Sequence, residues 1–323
     1  MPVSEPPAVS VAIRAYRRRW LGEAIESVLG QTYTDLELVV YDDAGDLAEE
    51  VARFDDPRVR YHRAEQRLGE SGRFNAAIAL CRGRFLGILD DDDRYEPAFL
   101  ERLVGALEAD PSAGVAFCRA LYELDGPAYV AHDPRPPGPQ PDAVRQIVGY
   151  REFLPPTFML IRRTAFEDAT AHRTMPDGVA PDVFVNVHIG ATGWRHVLVG
   201  EPLAVRRWHR EQLSLAGPST ARLNVATWTQ LAVGDGELER VRRRILAQRY
   251  VWTATYELEA GHRRAARDDL AAAAAADRES WAVPRRLVHL AASVPLAGRL
   301  AARTALGLVQ FWRRRSPPPS PVR

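Results

Sequence analysis

The stretch Phe85-Leu86-Gly87-Ile88-Leu89-Asp90-Asp91-Asp92-Asp93 decides how this chain is read. A short apolar run bounded by polar residues reads as a buried strand. Here the strand ends in four consecutive aspartates, so it delivers dense negative charge to one edge of a sheet. Adjacent carboxylates repel each other, and burying them unpaired is costly. A divalent cation relieves both problems. Hard oxygen ligands suit Mg2+ or Mn2+, and such an ion commonly also holds phosphate groups. Taken alone, the run also reads as an acidic surface turn.

On either side, apolar runs alternate with helical spacing. Residues 9–13, 36–41, 59–61, 85–89 and 115–121 read as strands. Residues 20–29, 70–81 and 96–108 read as helices. This alternation predicts an α/β fold with a mostly parallel central sheet flanked by helices and right-handed crossovers. In such sheets the chemistry collects beyond the carboxyl ends of the strands. Arg14, Asp42, Asp43 and Asp90 to Asp93 all fall there.

Further along, residues 133–142 are dominated by proline and glycine, and regular structure is not expected in them. Residues 158–161 read as a strand and residues 181–189 as a short helix carrying Asp182. Residues 197–199 and 203–208 read as two more short strands. From Pro218 the pattern turns helical, with helices expected over 220–233, 237–260 and 262–276 and a turn at Gly261. The expected division is one α/β domain over 1–216, in two halves near 8–120 and over 121–216. A helical appendage follows over 217–323.

Composition removes several classes. The 323 residues carry a net charge of +1 and are 46% hydrophobic, enough for a real core. Every basic position is arginine. The balanced charge speaks against a nucleic-acid partner, which needs a concentrated basic face. Two separated cysteines, Cys81 and Cys118, make neither a thiolate zinc site nor a disulfide scaffold. No signal peptide or spanning segment is expected, and a cytoplasmic location is the default. The tail from Pro284 contains arginines and no acid, which leaves a peripheral contact with the inner face of the membrane open, along with simple packing on the body. A homodimer is also left open.

Several sequence signatures then occur in order. The opening strand leads into Arg14-Ala15-Tyr16-Arg17, followed by Gln31-Thr32-Tyr33 and Leu38-Val39-Val40-Tyr41-Asp42-Asp43. Asp56-Pro57-Arg58, Gly69 with Arg73 and Asn75, Gly83-Arg84-Phe85, and the aspartate run closing with Tyr95-Glu96-Pro97 complete the set. Over about residues 9–215 the chain resembles the family 2 glycosyltransferases of the GT-A fold. That resemblance implies an inverting transfer of a sugar from a UDP-, dTDP- or GDP-linked donor to a hydroxyl or amine.

The resemblance also implies roles. Asp43, beside Asp42, occupies the position that reads the nucleobase; a carboxylate accepts from an imide N–H or from the donors of guanine. The Asp-x-Asp metal motif falls on Asp90-Asp91-Asp92, with Asp92 as direct ligand to Mg2+ or Mn2+ and Asp90 making the ribose or a water-mediated contact. Arg73 matches an arginine near the donor, whereas Arg60 reads equally as structural. Arg14 stands where the family usually has proline; it and Tyr16 lie where main chain meets the nucleotide. Asp182 matches the base that takes the acceptor proton, with Asp177 as fallback. Arg207-Trp208-His209 with Leu213-Ser214 resembles an Arg-x-His segment, with Arg207 toward phosphate and His209 toward the metal.

Two rivals remain open at this level. A nucleotidyltransferase also pairs a nucleotide with carboxylate-held metal, but no glycine-rich basic loop follows the first strand. A nucleotide-sugar-binding protein that has lost turnover is the other. A Rossmann oxidoreductase and a P-loop kinase lack their glycine motifs.

Overall fold

The apolar runs of the N-terminal half become adjacent strands. β1 (Val9–Ala15), β2 (Leu36–Asp42), β3 (Val59–Arg63) and β4 (Phe85–Asp90) pair in parallel in the order β3-β2-β1-β4. β1 and β2 are buried along their whole length, which is why they read as continuous apolar runs rather than alternating ones. The computed structural model describes residues 5–16, 19–43, 45–124, 128–130, 133, 135–140, 144–145, 155–171, 174–209, 217–233, 236–278, 286 and 288. Arg17, Leu213, Ser214 and nearly all of the basic tail lie outside the described residues.

Beyond β4 the sheet continues through a reversed strand. β9 (Met159–Arg162) runs antiparallel to β4 on one side and to β6 (Ala113–Leu124) on the other. β6 therefore points the same way as β4, and β10 (Arg195–Trp208) is parallel to β6. The expected pair of short strands at 197–199 and 203–208 is this one long strand. Register shifts around Pro202 absorb the Gly200-Glu201-Pro202 interruption without ending the ladder. A two-residue strand, β5 (Arg94–Tyr95), pairs antiparallel with β10, and β7 (Tyr129–Val130) with β6. The proline-rich segment expected to be irregular contributes β8 (Gly138–Gln140), antiparallel to β10. Pro139 fits there because a strand at the margin of a ladder tolerates a missing donor.

Helices cover both faces. α1 (Leu21–Leu29) and α4 (Phe99–Ala109) turn Leu21, Ile25, Val28, Phe99, Leu103 and Leu107 onto the face of β1 that carries Val9, Val11 and Ile13. A short α2 (Ala48–Val51) follows β2. α3 (Glu70–Leu80), α5 (Arg163–Ala169) and α6 (Pro181–Ala191) lie toward the opposite face, where Phe74 meets Phe166. Gly83 is dictated by close approach: a Cβ there would sit 2.6 Å from the Ser10 nitrogen.

A buried ion-pair network closes the end of the sheet away from the aspartates. Glu37 is 2% exposed and accepts from Ser10, Arg60 and Arg82. Arg60 is thus held in the scaffold at 2.9 Å from Glu37, the structural one of its two readings.

The chain divides into two units, one of residues 1–144 and 153–209, the other of residues 145–152 and 210–323. In the second unit, α7 (Gly217–Gln230), α8 (Gly236–Glu259) and α9 (Arg263–Ala276) pack together. α8 and α9 form a hairpin around Ala247, Val251, Leu258, Ala266 and Leu270. Gly261 adopts φ +85° at the end of α8, and the His262 N–H reaches back to the Glu257 carbonyl, closing the helix. Arg222 joins the three helices by pairing with Glu257 and Asp269, each at 2.7 Å. Among the described residues no helix is long and apolar enough to cross a membrane.

Candidate active site

The reversed strand leaves β1, β2, β4, β6 and β10 pointing the same way, so their carboxyl ends share one edge. β1 ends in Arg14 and Tyr16, β2 in Asp42 and Asp43, and β4 in the aspartate run. β10 ends in Arg206 to His209. Except for Arg206, these are residues that the sequence marks for chemistry; the helices add Arg73 and Asp182.

The aspartates have divided tasks. Asp91 accepts from the backbone N–H of Tyr16, tying the β4 turn to the end of β1. Asp93 is buried and saturated, taking the Thr157 hydroxyl at 2.7 Å and the Arg207 backbone N–H at 3.0 Å. Asp92 lies 2.9 Å from Nε2 of His209, whose ring packs against Trp20. Asp90 pairs with Arg14, its register partner on β1. Oxygens of Asp90, Asp92 and Asp93 all lie within 4.8 Å of one another.

That crowding has a protonation cost. Burial, reinforced by Asp92 and Asp90, pushes Asp93 well above the carboxylate range. Burial pushes Asp90 the same way, but Arg14, Arg73 and Arg206 outweigh it and leave its pKa lowered. The donor set fits a hard divalent cation: all-oxygen, clustered, and not fully neutralised by the chain itself. Asp90 and Asp92 are the more exposed members, whereas Asp93 is buried and each of its oxygens already accepts a hydrogen bond.

Arg14 organises the neighbourhood. Besides Asp90 it meets Glu70 at 3.5 Å, and Glu70 in turn pairs with Arg73 on α3. Burial opposes the Arg14 charge, but Asp90, Glu70 and Asp182 overcome it and raise its pKa. The Nε atoms of Arg14 and Arg73 are buried without a partner. Arg14 thus occupies itself with carboxylates, a role that its difference from the family pattern left undetermined.

Asp182 lies in the first turn of α6, accepting its own Val183 N–H at 2.9 Å. Burial raises its pKa; the Val183 N–H, Arg206 and Arg14 act in the other direction. Arg14 and Arg206 therefore act on the charge of both Asp90 and Asp182.

Three expected site residues are placed differently from one another. Asp42 is fully buried, and its carboxylate accepts from the N–H groups of Gly45 and Leu47 and from the Tyr61 hydroxyl at 2.6 Å. It shapes the loop after β2. Asp43 takes the Leu68 N–H at 3.0 Å through one oxygen. Arg207 turns to Glu23 at 2.7 Å and Glu123 at 3.2 Å, with Trp20 beneath it. Strand alternation then gives the opposite face to Arg206, which sequence comparison passed over. Arg206 makes no hydrogen bond or ion pair among the described residues. The signal for it was present: two adjacent arginines on a strand cannot share a face.

The fold is matched over most of the chain by the structure of S. aureus TarS residues 1–349 in complex with UDP-GlcNAc. The two share 14% identity and a TM-score of 0.66, covering 95% of this chain and 91% of that one. In sequence, the succinoglycan biosynthesis protein ExoO of Rhizobium meliloti is 36% identical over 127 residues, 38% of this chain and 36% of that protein. Chondroitin synthase of Escherichia coli is 35% identical over 118 residues, 34% of this chain and 17% of that protein. The matched segment is thus about a third or less of each relative's length. Residues 10–170 match the profile of glycosyl transferase family 2, and with the sheet order and aspartate edge described above, the chain belongs to that family.

Proposed function

We propose that the protein transfers a glycosyl group from a nucleotide diphosphate sugar to an acceptor hydroxyl or amine, inverting the anomeric centre. The observation that carries this reading is the cluster of Asp90, Asp92 and Asp93, whose oxygens lie within 4.8 Å of one another on the sheet edge that also presents Asp43. An all-oxygen cluster on one edge with a base-reading carboxylate supports a metal-held nucleotide diphosphate donor. The names of the curated relatives favour a polysaccharide as the product class.

Asp43 would accept from the nucleobase edge through its second oxygen, while Asp42 and Tyr61 hold the loop that presents it. Asp90 and Asp92 would hold Mg2+ or Mn2+, with His209 steadying Asp92. When bound, the cation neutralises charge on the departing diphosphate. Arg14 and Glu70 fix the orientation of Asp90 and Arg73. Asp182 would take the acceptor proton as the acceptor oxygen or nitrogen attacks. A carboxylate whose pKa is raised by burial is a better-matched base near neutral pH than a free one.

The test is a panel of UDP, dTDP, GDP and their sugars scored by thermal stabilisation with and without Mn2+, followed by NMR of the product's anomeric configuration. A stabilising nucleotide and inverted product are expected. No nucleotide shifting the melting temperature would end the donor assignment.

A further inference from the structure

We propose that the end of β6 and β10 forms an acceptor subsite for an acidic saccharide, with Arg206 pairing to a sugar carboxylate. The proposal rests on the glycosyl-transfer reading above and names the substrate class for its acceptor side.

Register places the elements of this site in one row. Arg206 on β10 lies opposite Tyr122 on β6, and Tyr122 lies opposite Tyr129 on β7. Residues paired in a ladder project from the same face, as do residues two apart on a strand. Trp208 therefore joins the row. The contacts agree: the Tyr122 ring is 6.0 Å from Tyr129 and 6.4 Å from Trp208, and the Arg206 guanidinium is 5.7 Å from the Trp208 ring. Arg207 and Glu123, also register partners, pair on the other face at 3.2 Å.

Two features of the row call for a ligand. Tyr129, at one end of the row, is 54% exposed. Its ring continues the strip of Tyr122 and Trp208 and offers an occupant an apolar face with a polar tip. At the other end, the Arg206 guanidinium has no hydrogen-bond or ion-pair partner among the described residues, although Asp90, Asp93 and Asp182 lie within its field. An aromatic strip ending in an unengaged guanidinium matches one kind of occupant. The apolar faces of sugar rings pack on the aromatics, and a carboxylate on the ring takes two parallel N–H bonds from the guanidinium. Continuity decides the orientation. The backbone N–H of Arg207, the next residue, bonds Asp93 at 3.0 Å, so the guanidinium end is the one at the aspartate edge; the acidic sugar sits there, nearest the reacting hydroxyl, and the rest of the glycan runs out over Tyr122 toward Tyr129.

The test uses the full chain with Mn2+ and UDP, titrated calorimetrically with p-nitrophenyl β-D-glucuronide and with p-nitrophenyl β-D-glucoside. The glucuronide is expected to bind at least about tenfold more tightly, the scale of a charge-assisted hydrogen bond. Arg206→Gln should erase that preference while UDP affinity stays within about twofold. Tyr129→Ala, at an exposed position, should weaken both glycosides severalfold and leave the preference. Equal affinities in the parent protein, a preference that survives Arg206→Gln, or no glycoside binding would overturn the subsite. A loss of UDP affinity in Arg206→Gln as large as the loss of glucuronide affinity would overturn it too, by giving the guanidinium to the donor. UDP binding is read separately, so a protein that binds no UDP fails the donor reading whatever the glycosides do.

Discussion

Arg14 and Asp90 are register partners on neighbouring parallel strands, and their side chains form an ion pair at the strand ends. A guanidinium thus neutralises the first carboxylate of the aspartate run from within the sheet. Removing it strands Asp90 beside Asp92 and Asp93. Arg14→Ala should cost about 1–3 kcal/mol, less than a fully buried pair because Asp90 keeps 34% of its side-chain surface. Mn2+ should restore more stability to the variant than it adds to the parent, since the ion replaces the lost charge. Melting temperatures with and without Mn2+ check this; equal increments would contradict it.

Asp92→Asn should abolish most metal-dependent stabilisation by nucleotide and lower transfer by about 100-fold or more. The His209 contact is at the same carboxylate, so His209→Gln should show a weaker form of the same defect. Isothermal titration with Mn2+ and UDP measures both. Undiminished metal dependence in Asp92→Asn would remove it from the cation site.

Asp182→Asn should depress kcat by about 100-fold or more while the donor Kd changes little. Because burial raises the Asp182 pKa, the basic form is populated only as pH climbs through that raised value. The acid limb of the kcat profile should therefore lie above the ordinary aspartate range and vanish in the variant. Donor affinity falling in step with kcat would place Asp182 on the nucleotide instead.

Asp42 and Asp43 should separate cleanly. Asp42→Ala deprives two backbone N–H groups and the Tyr61 hydroxyl of their acceptor, and should cost about 2–3 kcal/mol. Burial and the Asp42 carboxylate push Tyr61 up to about 12; in the variant its titration should fall toward 10. Asp43→Asn should keep its stability and lose nucleotide affinity by about tenfold or more. Urea unfolding and nucleotide titration on the two variants distinguish these outcomes.

Glu37 gives the stability of the sheet an acid limit. Burial would raise its pKa, but Ser10, Arg82 and Arg60 outweigh that and hold it lowered. A depressed carboxylate contributes stability above its unfolded pKa and loses it as pH falls through the folded value. Glu37→Gln should therefore be less stable at pH 7, by about 2–4 kcal/mol, and the gap should narrow below about pH 4. A constant gap from pH 7 to pH 3 would exclude the ion-pair explanation.

Much of the N-terminal half was legible because β1, β2 and β4 are buried almost throughout. β1, β2 and β4 appear as apolar runs, and their final residues are the site residues. The helix carrying Asp182 was legible from its own periodicity. What escaped depended on pairing. Gly200-Glu201-Pro202 looks like a strand break until β6 lies alongside and carries the ladder across it. Gly138–Gln140 has no strand pattern of its own and is a strand only because β10 supplies the partner. Arg206 was missed for a related reason. Motif resemblance singles out Arg207, but only the facing of β10 decides which of two neighbouring guanidinium groups turns to Glu23 and Glu123 and which takes the other face.

The reversed strand β9 has a consequence for how such a molecule can change. In the sheet order, Met159–Arg162 is the hydrogen-bonded link between β4, which supplies the aspartates, and β6, which carries the aromatic row. Four residues thus set the lateral spacing of those two strands. On the transfer reading proposed above, the strands beyond that seam can be exchanged for a new recipient surface without redrawing the aspartate edge, provided that the seam itself keeps its span.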